Sequence, residues 1–167
     1  MIQSYVLTAV VLAAALTGSS VRADPLPIET HKVLTAALAV EAAQAAVGAC
    51  KAQGYNNAAV VADASGKPIV LIVGDGTRYV AVEVSRRKAY TAALWKMSTG
   101  DFAKRFPTPT GFNPVFFDPQ LAGGQGALPI TLGNDTIGAI ATAGAPGGDK
   151  DEACARAGLD KIKDQLN

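Results

Sequence analysis

The chain has 167 residues, 49% hydrophobic and 17% charged, with a formal net charge of +1. Once an N-terminal segment is removed, about one ordinary domain remains, long enough to bury an apolar core without metals or many disulfides. Near-neutrality argues against a nucleic-acid partner, which needs a basic face to displace counterions from phosphate.

Val6 to Leu16 is an apolar run too short to span a bilayer comfortably. Thr17-Gly18-Ser19-Ser20 and then Val21-Arg22-Ala23 follow it. That triplet fits the small-x-small rule for signal peptidase, so residues 1–23 read as a signal peptide cleaved before Asp24, and 24–167 as a single domain. No other stretch is long and apolar enough to be a transmembrane helix, so no membrane span is expected after cleavage. The protein is therefore expected to be periplasmic or secreted. Cys50 and Cys154 are spaced neither as a redox pair nor as a zinc site. In an oxidising compartment they invite a disulfide; the alternative is two buried thiols packed as small apolar groups.

From Thr30 to about Gln53, Leu34, Leu38, Ala42, Ala45 and Ala49 recur at helical spacing. Thr30 can cap that helix and Gly54 can close it. Ala58–Asp63 and Pro68–Val73 read as an antiparallel hairpin around Ala64-Ser65-Gly66-Lys67. After the turn Gly74-Asp75-Gly76, a helix over Tyr79 to about Met97 puts Ala81, Ser85, Ala89, Ala92 and Ala93 on one side. Gly100 is expected to break it, with another turn or two over Asp101–Phe106. Pro107–Gly126 is a long irregular stretch carrying Phe112, Val115, Phe116, Phe117 and Leu121. A loop of that length in a small domain is usually functional or an interface element. Ala127–Leu132 and Thr136–Ala143 form a second hairpin, and a final helix runs from Lys150 to about Leu166. Asp149 and Glu152 match a capping box at its start. Helix, hairpin, helix, loop, hairpin, helix defines an α+β fold with helices packed on an antiparallel sheet.

Several segments together resemble the GlcG/HbpS family of heme-binding proteins. They are Val60-Val61-Ala62-Asp63 with Gly66, and Asp75-Gly76 followed by Ser85-Arg86-Arg87-Lys88-Ala89-Tyr90-Thr91-Ala92. Leu128-Pro129-Ile130, Ile137-Gly138-Ala139-Ile140 and the run Gly144–Cys154 complete the series. The resemblance implies a profilin-like arrangement, a central antiparallel sheet flanked by helices, with oligomers common. It implies binding of heme or a related tetrapyrrole, and the first and last helices side by side so that Cys50 and Cys154 can meet. The stretch Thr77-Arg78-Tyr79-Val80 departs from many exported relatives, which carry a His-Thr pair there.

His31 is the only histidine, and histidine is a common axial ligand of heme iron. It is the first choice for a metal ligand, against the plainer reading of a half-exposed residue in a first helical turn. Tyr79, which occupies the region of the missing pair, Tyr90 and Met97 are alternative ligands or packing groups. Arg78, Arg86 and Arg87 suit heme propionates, because guanidinium binds carboxylates in a bidentate way; otherwise they line a solvated helix face. Asp63 and Asp75 could form a carboxylate pair but read more simply as turn residues. The glycine run before Asp149 reads as a tight turn, since Asp149, Asp151 and Glu152 would repel an anion there. No hydrolase elbow, metalloprotease motif or phosphate loop is present, so catalysis, including heme degradation, has no motif behind it. The expected function is an exported heme-binding protein for scavenging, buffering or sensing. The rival is a non-heme binding or oligomeric interaction module docking through the aromatic loop.

Overall fold

A computed structural model describes residues 32–107 and 112–166. The expected signal peptide, Thr30 and His31 lie outside them. The sheet has four strands, β1 (Ala58–Asp63), β2 (Pro68–Val73), β3 (Ala127–Leu132) and β4 (Asp135–Ala143), in the antiparallel order β2-β1-β4-β3. Among the described residues four α-helices accompany it: α1 (Ala36–Ala52), α2 (Tyr79–Trp95), α3 (Thr99–Arg105) and α4 (Gly148–Ile162). The α+β expectation therefore holds.

Alternation along the central strands divides the core in two. Ala59 and Val61 of β1, with Ile130, Ile137 and Ile140, face α1 and α4; Val60 and Ala62, with Ala127, Ala139 and Ala141, face α2. The result is three layers, with α1 and α4 on one face and α2 on the other. The small-residue side read from the sequence of α2 is the buried one, where Ala81, Ser85, Ala89, Ala92 and Ala93 meet the sheet.

Alanines also let α1 and α4 approach closely. Ala39, Ala42, Ala43 and Ala46 are fully buried, and a Cβ added to Gly158 of α4 would lie 2.5 Å from the Ala42 carbonyl oxygen. At the far end of this contact Cys50 and Cys154 form a disulfide, with Cα atoms 5.4 Å apart. The buried face of α1 is rotated from the expected one, with Ala45 and Ala49 at its flank.

Three local expectations are corrected. Helix α1 begins at Ala36, because the Thr35 hydroxyl caps it by accepting from the Leu38 N–H. Helix α2 ends before Gly100: Lys96 adopts a left-handed conformation (φ 52°), and Ser98 caps α3 by accepting from Asp101 N–H. Gly100 sits inside α3, buried where a Cβ would crowd Gln125 and Glu152. The capping box at α4 is not formed: the N-cap is Gly147, in a conformation (φ 145°) that favours glycine, and no side chain caps the helix. Asp149 and Asp151 occupy its first turn instead, and the helix ends at Ile162, followed by a short 3-10 turn.

Both sheet edges are blunted. Edge strand β2 starts at Pro68 with a register shift beside it; β3 carries Pro129 and a shift after Ile130. Such features oppose strand-to-strand association. The Asp63 carboxylate organises the first hairpin turn, accepting from the Ser65 hydroxyl at 2.6 Å and from the Ser65 and Lys67 N–H groups. Burial alone would raise its pKa, but these donors outweigh burial and hold the carboxyl below its ordinary value. Asp75 instead faces Lys51 at 3.4 Å, so the two carboxylates are turn residues and not a pair.

Candidate ligand cleft

Three chain reversals meet at one end of the sheet. Helix α1 closes at Gly54 (φ 79°), whose N–H and that of Tyr55 bond back to Lys51 and Cys50 carbonyls; this delivers Tyr55 and Asn56. The turn from β2 to α2 is pinned by the Thr77 hydroxyl, which donates to the Gly74 (2.6 Å) and Asn57 (3.0 Å) carbonyls, and delivers Gly76, Arg78 and Ala81. The turn from β4 to α4 supplies Gly144, Ala145 and Pro146. Between them lies a cleft of about 400 Å³. Gly54 and Gly76 keep its lining low; a Cβ on Gly76 would stand 2.9 Å from the Asn56 amide nitrogen.

Arg78 is the one charged residue of the lining and makes no ion pair among the described residues. Among the described residues no carboxylate lines the cleft, while Asp149 and Asp151 stand behind its Gly144–Pro146 wall in the first turn of α4. The Lys150 ammonium sits 5.6 Å from the ring centroid of Tyr55, adding a second positive group beside the wall. Arg78 and Lys150 thus give this end of the sheet two positive groups suited to a ligand carboxylate.

The other residues singled out from sequence are dispersed. Tyr79 adjoins Arg78 and is 76% exposed, with its hydroxyl 3.4 Å from Glu83 Oε1. Arg86 is ion-paired with Glu83 at 3.2 Å. Arg87 points to the long loop, its guanidinium donating to the Leu121 carbonyl at 2.6 Å. Tyr90 donates its hydroxyl to Asp118 Oδ2 at 3.1 Å; partial burial, then this bond and the nearby negative charge, push the phenol above its ordinary pKa and keep it protonated. Met97 lies beyond the far end of α2, about 25 Å from Arg78 along a 17-residue helix, so the two cannot serve one ring. Among the described residues no cluster of three His, Cys, Asp or Glu could hold a metal ion.

Sequence reading missed Tyr55 and the Gly144–Pro146 wall as lining groups, and it missed Lys88. The Lys88 ammonium is buried between α2 and α4, 2.8 Å from Asp151 Oδ2 and 3.2 Å from the Thr142 carbonyl. A signal existed: position 88 falls on the small-residue stripe 81-85-88-92, and a lysine there needs a buried counter-charge.

A four-stranded antiparallel sheet between a helix pair and a single helix, with a cleft at one end, defines a class of small α+β proteins. The family of haem degrading HbpS-like proteins matches residues 34–160, and the chain belongs to that family. It is similar to a double mutant of HbpS from Streptomyces reticuli, with 33% identity over 84% of this chain and 94% of that one and a TM-score of 0.75. Two more distant structures share the fold. The Klebsiella pneumoniae protein ORFY has 21% identity, 83% and 98% coverage and a TM-score of 0.74. A PduOC:heme complex has 18% identity, 78% and 96% coverage and a TM-score of 0.71. No curated protein sequence matches the chain.

Proposed function

We propose that this is an exported heme-binding protein that scavenges, buffers or senses heme, and that the cleft beside Arg78 takes the carboxylate edge of the tetrapyrrole. The observation that carries the reading is a guanidinium that makes no ion pair among the described residues, in a glycine-lined cleft into which none of them brings a carboxylate, in a chain of the HbpS-like family. Arg78 would hold a propionate, the Tyr55 ring would pack on the macrocycle, and His31, or Tyr79 next to Arg78, would supply the axial ligand. Heme supplies the metal and its redox chemistry; the chain supplies binding and charge.

Titrating purified protein with hemin is expected to give a saturable Soret shift. Arg78→Gln should weaken binding roughly tenfold or more, the scale of one charge-assisted hydrogen bond. Hemin dimethyl ester, which lacks the carboxylates, should show no such dependence on Arg78. His31→Ala should alter the ligand-field bands of the spectrum. A wild-type protein whose spectrum never saturates would end the reading.

A second reading, self-association through the long loop, is favoured by one feature. Phe112 and Phe117 stack at 5.5 Å between centroids, and with Phe116 they are 66–75% exposed. With both strand edges blunted, assembly would use this surface. Native mass spectrometry should show an oligomer for wild type and a monomer for Phe116→Asp; an unchanged mass removes the loop from any assembly.

A further inference from the structure

Burying an ion pair seldom stabilises a fold more than apolar side chains of similar volume would, so a buried pair calls for another account. Lys88 and Asp151 have side chains only 5% and 7% exposed. Each polar atom of the pair is committed to a different element. Lys88 Nζ, from α2, donates to Asp151 Oδ2 in α4 and to the Thr142 carbonyl in β4. The second carboxylate oxygen, Asp151 Oδ1, accepts from the Ala145 N–H at 3.0 Å, and Ala145 belongs to the cleft wall. The Thr142 hydroxyl donates to the Asp151 carbonyl at 2.6 Å, closing the network. Space for the ammonium is left by Gly126, where a Cβ would lie 2.5 Å from Nζ.

Helix α2 carries Arg78 at its start, and the β4–α4 turn carries Ala145. We infer that the Lys88–Asp151 pair is the positioning device of the cleft, tying the helix that presents Arg78 to the wall facing it and so setting the cleft's width. This rests on the cleft being the ligand site. Lys88 and Asp151 are positioning residues: neither lines the cleft, and they act through Ala145 and α2.

The test compares two double variants of unchanged net charge. Lys88→Met/Asp151→Leu removes the acceptor for Ala145; Lys88→Met/Asp151→Asn keeps a carbonyl oxygen there while abolishing the ion pair. The Leu variant is expected to melt close to wild type, yet to exchange its Ala145 amide hydrogen rapidly and bind hemin roughly tenfold more weakly. The Asn variant should recover slow Ala145 exchange but, with α2 no longer tied to α4, still bind hemin roughly tenfold more weakly than wild type. Slow Ala145 exchange and wild-type affinity in the Leu variant would overturn the inference. Should that variant not fold, wild-type hemin affinity in the Asn variant would overturn it, and weakened binding there with slow Ala145 exchange would support it. If wild-type protein takes up no hemin, the cleft reading falls by itself, and Ala145 exchange still decides whether the pair holds the wall.

Discussion

Replacing Cys50 and Cys154 together with alanine is expected to lower the free energy of unfolding by about 3–5 kcal/mol. The bond joins residues 104 apart in sequence, so it removes a large share of the conformational freedom of the unfolded chain. Both cysteines are fully buried between α1 and α4, and alanine leaves little to repack there. For a domain whose total stability is on the order of 5–15 kcal/mol, the loss is large. Urea unfolding followed by circular dichroism measures it, and the slope with denaturant should also rise, because an uncrosslinked chain exposes more surface. Since neither sulfur reaches solvent, reductant should act on the native protein only as fast as it opens. A midpoint unmoved by the double substitution would show that packing of the alanine faces, and not the crosslink, holds the two helices together.

The second large effect concerns Lys88. Lys88→Met leaves the Asp151 carboxylate buried without its counter-charge, and removing one partner of such a pair costs about 3–5 kcal/mol. The Ala145 N–H remains as a donor but cannot neutralise the charge. Adding Asp151→Leu to Lys88→Met should restore most of the loss, because apolar side chains need no partner. The measurement is the urea midpoint of wild type, single and double variants, from which the coupling follows as a double-mutant cycle. A single variant within about 1 kcal/mol of wild type would mean that solvent reaches the carboxylate when the lysine is gone.

Much of the architecture is legible in the residues because it depends on local periodicity. The two hairpins appear around the turns read at Ala64–Lys67 and Gly133–Asn134, with β4 starting one residue earlier than read, at Asp135, and the small-residue side of α2 appears as read. Helix ends were less legible, since capping is settled by single side chains in competition. Thr35, not Thr30, caps α1, and the glutamate expected to complete a capping box at α4 does not do so, because Gly147 already starts the helix. The cleft was legible only at Arg78. Its other walls come from turns some 20 to 70 residues away in the chain, and no periodicity links Tyr55, Arg78 and Pro146.

By itself the sequence determined the α+β class, the element order and the family, through hydrophobic period, turn residues and an ordered series of short motifs. It also supplied two cysteines and a lysine on an apolar stripe. Only the tertiary structure decided that Cys50 lies against Cys154, that Lys88 finds Asp151, and that Arg78 opens onto a cleft while Met97 stands at the other end of its helix. The physical reason is range. Helix and strand patterns are written in neighbours a few residues apart, whereas a crosslink, a buried charge pair and a cleft exist only where distant segments are brought into contact.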